Sequence, residues 1–100
     1  MLVIAGEIEI DPAHHDAAVA AAKRVQEATR KEAGCHAYVF AADLAERGRF
    51  RLFEEWESPE ALAAHFGQPH MAEFQKAIAA VGVRRMDLAR YEIAKKGPLR

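Results

Sequence analysis

Several things are scarce or missing in this chain. There is one cysteine, Cys35, so no internal disulfide can form. Neither sign of charge dominates: 14 Lys+Arg against 15 Asp+Glu leave a formal net charge of −1. A chain without a basic footprint cannot compete for a phosphate backbone, so no nucleic-acid partner is expected. No apolar run approaches the roughly 20 residues of a membrane span. The opening stretch Met1 to Glu7 lacks the basic flank of a signal peptide. These absences predict a soluble cytoplasmic protein with no membrane association. The 6 glycines stand singly, so there is neither a Gly-rich phosphate loop nor a G-x-S-x-G elbow, and a nucleotide or flavin cradle is hard to build. Large apolar side chains are also few. Alanine supplies 22 of the 51% counted as apolar, leaving a thin set of Leu, Ile, Val and Phe for a core. A lone domain this small has little apolar surface to set against chain entropy, which favours burial between subunits.

What is present has clear periodicity. Residues 2–10 alternate, with Leu2, Ile4, Ile8 and Ile10 opposite Glu7 and Glu9, as in a strand. Asp11-Pro12 is a helix start, a capping carboxylate followed by proline at the first helical position. Ala18, Ala21, Ala22, Val25, Ala28 and Glu32 then recur at helical spacing, and Gly34 is placed to stop the helix, predicted over about 12–33. Strands are expected at 35–41 and 49–57, joined as an antiparallel hairpin through the polar residues 43–48. Ser58-Pro59-Glu60 repeats the cap-then-proline signal for a short helix to Phe66. A second helical piece follows at about 69–80, then a final strand at 83–93. The expected order is β-α-β-β-α-β, an α+β ferredoxin-like fold with a four-stranded antiparallel sheet and helices on one face. One domain, residues 1–94, and a tail, 95–100, account for the chain. The uncovered sheet face, with Val3 and Ala5 opposite Ile4 and Ile8, predicts a homodimer built sheet to sheet.

Residues able to do chemistry concentrate between Phe53 and Met71, with Trp56 at a strand end and His65 and His70 on the helical segment after it. Histidine titrates near neutrality and is the default proton acceptor; the Trp56 indole offers a flat wall and one N–H donor. Each also has an ordinary structural reading: Trp56 as packing, His65 as a half-buried helix residue, His70 as a local cap. A metal centre is not expected. His65 and His70 are five apart across a Gly-Gln-Pro break, unlike the i, i+4 pair of a helical zinc site, the adjacent His14 and His15 diverge, and no Cys-x-x-Cys exists. Glu54 can approach either of the later histidines, but spacing alone does not require it. Cys35 reads as a small buried hydrophobe rather than a nucleophile.

Gly34-Cys35-His36-Ala37-Tyr38, Glu54-Glu55-Trp56-Glu57-Ser58, Ala61-Leu62 to His65, and Pro69-His70-Met71 to Phe74 together resemble the antibiotic biosynthesis monooxygenase domain family, in particular its small quinol-monooxygenase-type members. The resemblance spans about residues 2–93. It implies a dimeric α+β barrel and a cofactor-independent monooxygenase acting with O₂ on a phenolic or hydroquinone-type aromatic. By the same resemblance His65 is the base or hydrogen-bond partner of the substrate hydroxyl and Trp56 orients the ring. Tyr38, Phe40, Glu54, Phe66, His70, Met71 and Phe74 are then the substrate-binding residues. The haem-degrading branch places an asparagine in the first strand and a haem-ligating histidine in the later helix. The counterparts here are Glu7 and Gln75 or Lys76, which disfavours haem. Other relatives imply alternatives: an isomerase or lyase of a small metabolite, for which Arg84, Arg85 and Arg90 could clamp an anion, or a non-catalytic dimeric ligand-binding module.

Overall fold

A computed structural model describes all residues, 1–100. Four strands, β1 (Leu2–Ile10), β2 (Cys35–Ala42), β3 (Arg49–Trp56) and β4 (Val83–Glu92), form one antiparallel sheet in the order β2-β3-β1-β4. Three helices, α1 (His15–Thr29), α2 (Pro59–Phe66) and α3 (Pro69–Ala80), complete the expected ferredoxin-like α+β arrangement.

Strand alternation decides which residues meet the helices. Leu2, Ile8 and Ile10 of β1 and Phe50, Leu52, Glu54 and Trp56 of β3 all turn inward and are buried. Opposite them, α1 buries Ala18, Ala21 and Val25, the small side chains that let it lie close to the sheet. Full burial of one large apolar side chain contributes about 1.5–3 kcal/mol. The few such residues are used in two groups. Leu2, Val25, Tyr38, Leu52, Trp56, Leu62 and Met71 form one. Ile8, Ile10, Ala18, Phe50 and Val81 form the other, toward the far end of β1.

The first helix departs from expectation at both ends. Asp11 caps as predicted, its side chain accepting from the Ala13 N–H at 3.0 Å, but Pro12–His14 form a tight 3-10 turn before the α-helix begins. At the other end α1 stops at Thr29 rather than near residue 33. Lys31 and Glu32 donate to the carbonyls of Ala28 and Thr29, three residues back, so the chain tightens before Gly34, in the left-handed region at φ 81°, reverses it. That tightened turn carries Glu32. Gly67 and Gln68 form the two-residue corner between α2 and α3, with Pro59 and Pro69 each opening a helix at its first turn.

The opposite face of the sheet is open. Toward one end it carries crossed ion pairs, Arg49 with Glu7 and Glu9 at 3.0 and 2.9 Å and Arg51 with Glu7 at 3.2 Å. Toward the other it shows Val39, Phe53 and Tyr91, which are 39%, 42% and 51% exposed. No helix is long and apolar enough to cross a membrane.

Candidate active site

Between the inward face of the sheet and helices α2 and α3 lies a cavity of about 400 Å³. Its walls are mostly apolar. Leu52 and Leu88 come from the sheet and Leu62, Met71 and Phe74 from the helices, while Phe66 and Met86, both partly exposed, lie toward its rim. Of the residues singled out by sequence, Tyr38, Phe40, Glu54, His65, Phe66, Met71 and Phe74 all line it.

His65 is positioned from three directions. The Ser58 hydroxyl accepts from the Ala61 N–H at 3.2 Å and Pro59 begins the helix, so α2 starts at a fixed point and delivers His65 inward near its end. The ring is 1% exposed and packs against the indole of Trp56 and the phenol of Tyr38, at centroid distances of 4.8 and 5.6 Å. Its Nδ1–H donates to Glu32 Oε2 at 2.7 Å. A carboxylate on Nδ1 holds the imidazole in the tautomer whose Nε2 is a free acceptor. That Nε2 makes no hydrogen bond within the chain and is not sealed from open space.

Glu54 supplies a second acceptor. Its Oε1 accepts the Trp56 Nε1–H at 2.8 Å, while Oε2 has no partner in the chain. Burial pushes the Glu54 carboxyl above the usual carboxylate range; the Trp56 hydrogen bond and nearby His65 oppose this, and Glu32 adds to it. The Tyr38 hydroxyl is pushed well above its ordinary value by burial, with Glu54 and Glu32 contributing, so it remains a neutral O–H. Burial, Glu32 and Glu54 also raise the Cys35 thiol, which stays protonated and half-buried, its Sγ–H facing the Ala37 carbonyl at 3.6 Å.

Two expected contacts are not made. Trp56 is completely buried and does not line the cavity. Its N–H is committed to Glu54, so it holds that carboxylate and backs the His65 ring rather than touching a substrate. His70 also lies off the cavity: the α2–α3 corner turns it away, and its Nε2–H donates to the same Glu32 Oε2 at 2.7 Å. Nor do the three arginines of β4 converge. Arg84 pairs with Asp11, Arg85 with Glu7, Glu9 and Asp87, and only Arg90 reaches the cavity wall.

Glu32 is the residue that sequence reading passed over. Its signal is a carboxylate at the end of the apolar stripe predicted for the first helix, where an acidic group needs a buried partner. His65 and His70 are five apart across a Gly-Gln-Pro break, unlike the i, i+4 pair of a helical zinc site, yet they meet in space. The break turns the chain so that both rings meet one carboxylate oxygen.

The sequence and the fold have known relatives. A family model for antibiotic biosynthesis monooxygenases matches residues 1–77. An uncharacterized protein of Synechocystis is 31% identical over 94 residues, which is 94% of this chain but 64% of that protein, so this chain spans less than two thirds of that relative. The "probable quinol monooxygenase YgiN" of Escherichia coli is 31% identical over 88 residues, covering 78% of this chain and 85% of that protein. Among solved structures, a Deinococcus radiodurans protein described within the same monooxygenase group superposes with a TM-score of 0.90 over 100% of this chain and 99% of its own, at 23% identity.

Proposed function

Because the chain belongs to the antibiotic biosynthesis monooxygenase family, we propose that it is a cofactor-independent monooxygenase that oxidises a phenolic or hydroquinone-type aromatic with O₂. The observation that carries this reading is that His65 and Glu54, two otherwise buried side chains, both line one apolar cavity of about 400 Å³ and each keeps an acceptor, His65 Nε2 and Glu54 Oε2, that has no partner within the chain and is not sealed from open space. A flat ring is stabilised there by apolar burial, and its hydroxyls find acceptors at fixed places.

The reaction needs no outside reductant. Converting a phenol to a quinone releases four electrons, enough to reduce both atoms of O₂, one to the new ring carbonyl and one to water. His65 Nε2 takes the hydroxyl proton, leaving a phenolate, and Glu32 on Nδ1 stabilises the resulting imidazolium. The electron-rich phenolate passes one electron to O₂, and the radical pair couples to form a ring C–O bond. The imidazolium returns its proton to the peroxide. The base then removes the ring C–H proton as the O–O bond breaks, the carbonyl forms, and the departing hydroxide takes that proton as water. The apolar walls of Phe40, Leu52, Phe74 and Leu88 keep bulk water from the radical pair. Trp56 positions Glu54 for the second hydroxyl of a hydroquinone.

The test is oxygen uptake with a menadiol-type hydroquinone, wild type against His65→Ala. Uptake well above autoxidation that collapses in the variant supports the reading. Turnover of a substrate at full rate without O₂ would replace it with an isomerase or lyase; aromatic binding without turnover would leave a binding module.

The same reading includes a homodimer in the cytoplasm. Val39, Phe53 and Tyr91 make an apolar patch on the open sheet face that a second copy would cover.

A further inference from the structure

Behind the cavity, on the other side of the His65 ring, three groups converge that the oxidation does not require as a set. Glu32 Oε2 faces His65 Nδ1 and His70 Nε2, each at 2.7 Å, and the three ligand atoms lie within 4.8 Å of one another. They come from three different elements: the turn after α1, the end of α2 and the first turn of α3. Two imidazole nitrogens and a carboxylate oxygen form a donor set suited to first-row divalent ions such as Zn²⁺ and Co²⁺. A surface hollow lined by Glu32, His70, Gln68 and Lys31 gives an ion a way in and leaves room for water as a further ligand. His70, at 19% side-chain exposure, is the ligand nearest solvent, while Glu32 and His65 are nearly closed off behind it. Metal bonds of about 2.0–2.2 Å need the donors roughly half an ångström farther apart than the present hydrogen bonds.

We propose that Glu32, His65 and His70 bind a Zn²⁺-class divalent ion, and that the ion reverses the hydrogen-bonding sense of His65 in the substrate cavity. To ligate through Nδ1 the imidazole gives up the Nδ1–H that now reaches Glu32. The neutral ring then carries its proton on Nε2, the nitrogen facing the cavity. An acceptor becomes a donor, and occupancy of the rear site switches off the acceptor at the front. The metal site stands on its own geometry. Inhibition of turnover rests additionally on the reading of His65 Nε2 as the base.

Co²⁺ titration of the full chain tests the site directly, with the visible ligand-field band as readout. One equivalent should bind with the band of a low-coordinate nitrogen and oxygen site, displaced by Zn²⁺. The band should disappear in Glu32→Gln and His70→Ala but persist in His36→Ala, a histidine outside the cluster. Circular dichroism melts check that each variant folds. Imidazole ¹⁵N spectra should show the His65 Nε2 signal move from the acceptor to the N–H range as Zn²⁺ is added. Absence of a band in wild type, or a band retained in both ligand variants, overturns the site. A band with an unchanged Nε2 signal overturns the switch. Zn²⁺ binding that moves the Nε2 signal while oxygen uptake continues undiminished would support the switch and count against His65 as the base, so the two readings fail separately.

Discussion

The two ends of the core share β1, β3 and α1 and are buried to a similar degree, yet differ in chemistry. At one end Ile8, Ile10, Ala18, Phe50 and Val81 pack with no ionisable group buried among them; His15 stacks on Phe50 and His14 meets the Val81 carbonyl from outside the buried cluster. At the other, Trp56, Tyr38, Leu62 and Met71 enclose His65 and Glu54, with Glu32 behind. Burying a carboxylate or imidazole costs free energy unless each polar atom is paired. Here each group is paired on its inner side, His65 Nδ1 with Glu32 and Glu54 Oε1 with Trp56, while His65 Nε2 and Glu54 Oε2 stay open and without a partner in the chain. A core that needed only stability could use the apolar solution of the first end throughout. The second end departs from it where a ligand would fit.

That contrast can be broken most sharply at His65. His65→Ala is expected to lower oxygen-dependent turnover about 10²–10⁴-fold, the usual contribution of a positioned proton acceptor. At the apolar end, Phe50→Ala should instead cost about 3–5 kcal/mol in denaturant unfolding, with turnover per folded molecule retained. If the folded Phe50 variant loses as much turnover as the His65 variant, the division between the ends is wrong. Trp56→Phe keeps the ring packing but removes the donor to Glu54. It should lose about 1–3 kcal/mol of stability and shift the acidic limb of the pH–rate profile upward, because that hydrogen bond holds the carboxyl down.

The smallest expected effect is the most diagnostic of a carboxylate kept for function. Burial raises the Glu54 carboxyl in the folded state above its ordinary value of 4.5, so the native protein binds more protons than the unfolded chain as pH rises through that value. Stability must then fall with pH across that window. Glu54→Gln, which preserves an oxygen acceptor for Trp56, should melt slightly higher than wild type at neutral pH and equally below pH 4.5, read by thermal scans. A lower melting temperature at neutral pH would mean that the charge is structural. On the open sheet face, Phe53→Lys should shift the protein toward monomer in sedimentation equilibrium while leaving the helix-covered core intact.

Much of the fold was legible because each element carried its own local signal. Asp11-Pro12 and Ser58-Pro59 mark helix starts, and alternation in 2–10 and 49–57 marks strands whose buried apolar residues share the inward face, Glu55 alone being buried on the outer face of β3. The end of α1 was less legible, since alanine-rich sequence favours continuing the helix and only hydrogen bonds three residues back show where it tightens. Within the site, His65 could be singled out because imidazole is rare and suited to proton transfer. The non-contact of Trp56 with the cavity could not, because strand alternation gives the face of a side chain but not its depth behind its neighbours.

Few large apolar residues, one cysteine and balanced charge determined a small α+β chain and which residue types were available for chemistry. These follow from local periodicity, capping and composition, which act over a few residues. Only the tertiary structure decided that a glutamate from the turn after α1 meets two histidines from separate helices on a single oxygen. Convergence of groups 33 and 38 residues apart depends on how the crossovers close over the sheet, and no local pattern encodes that closure.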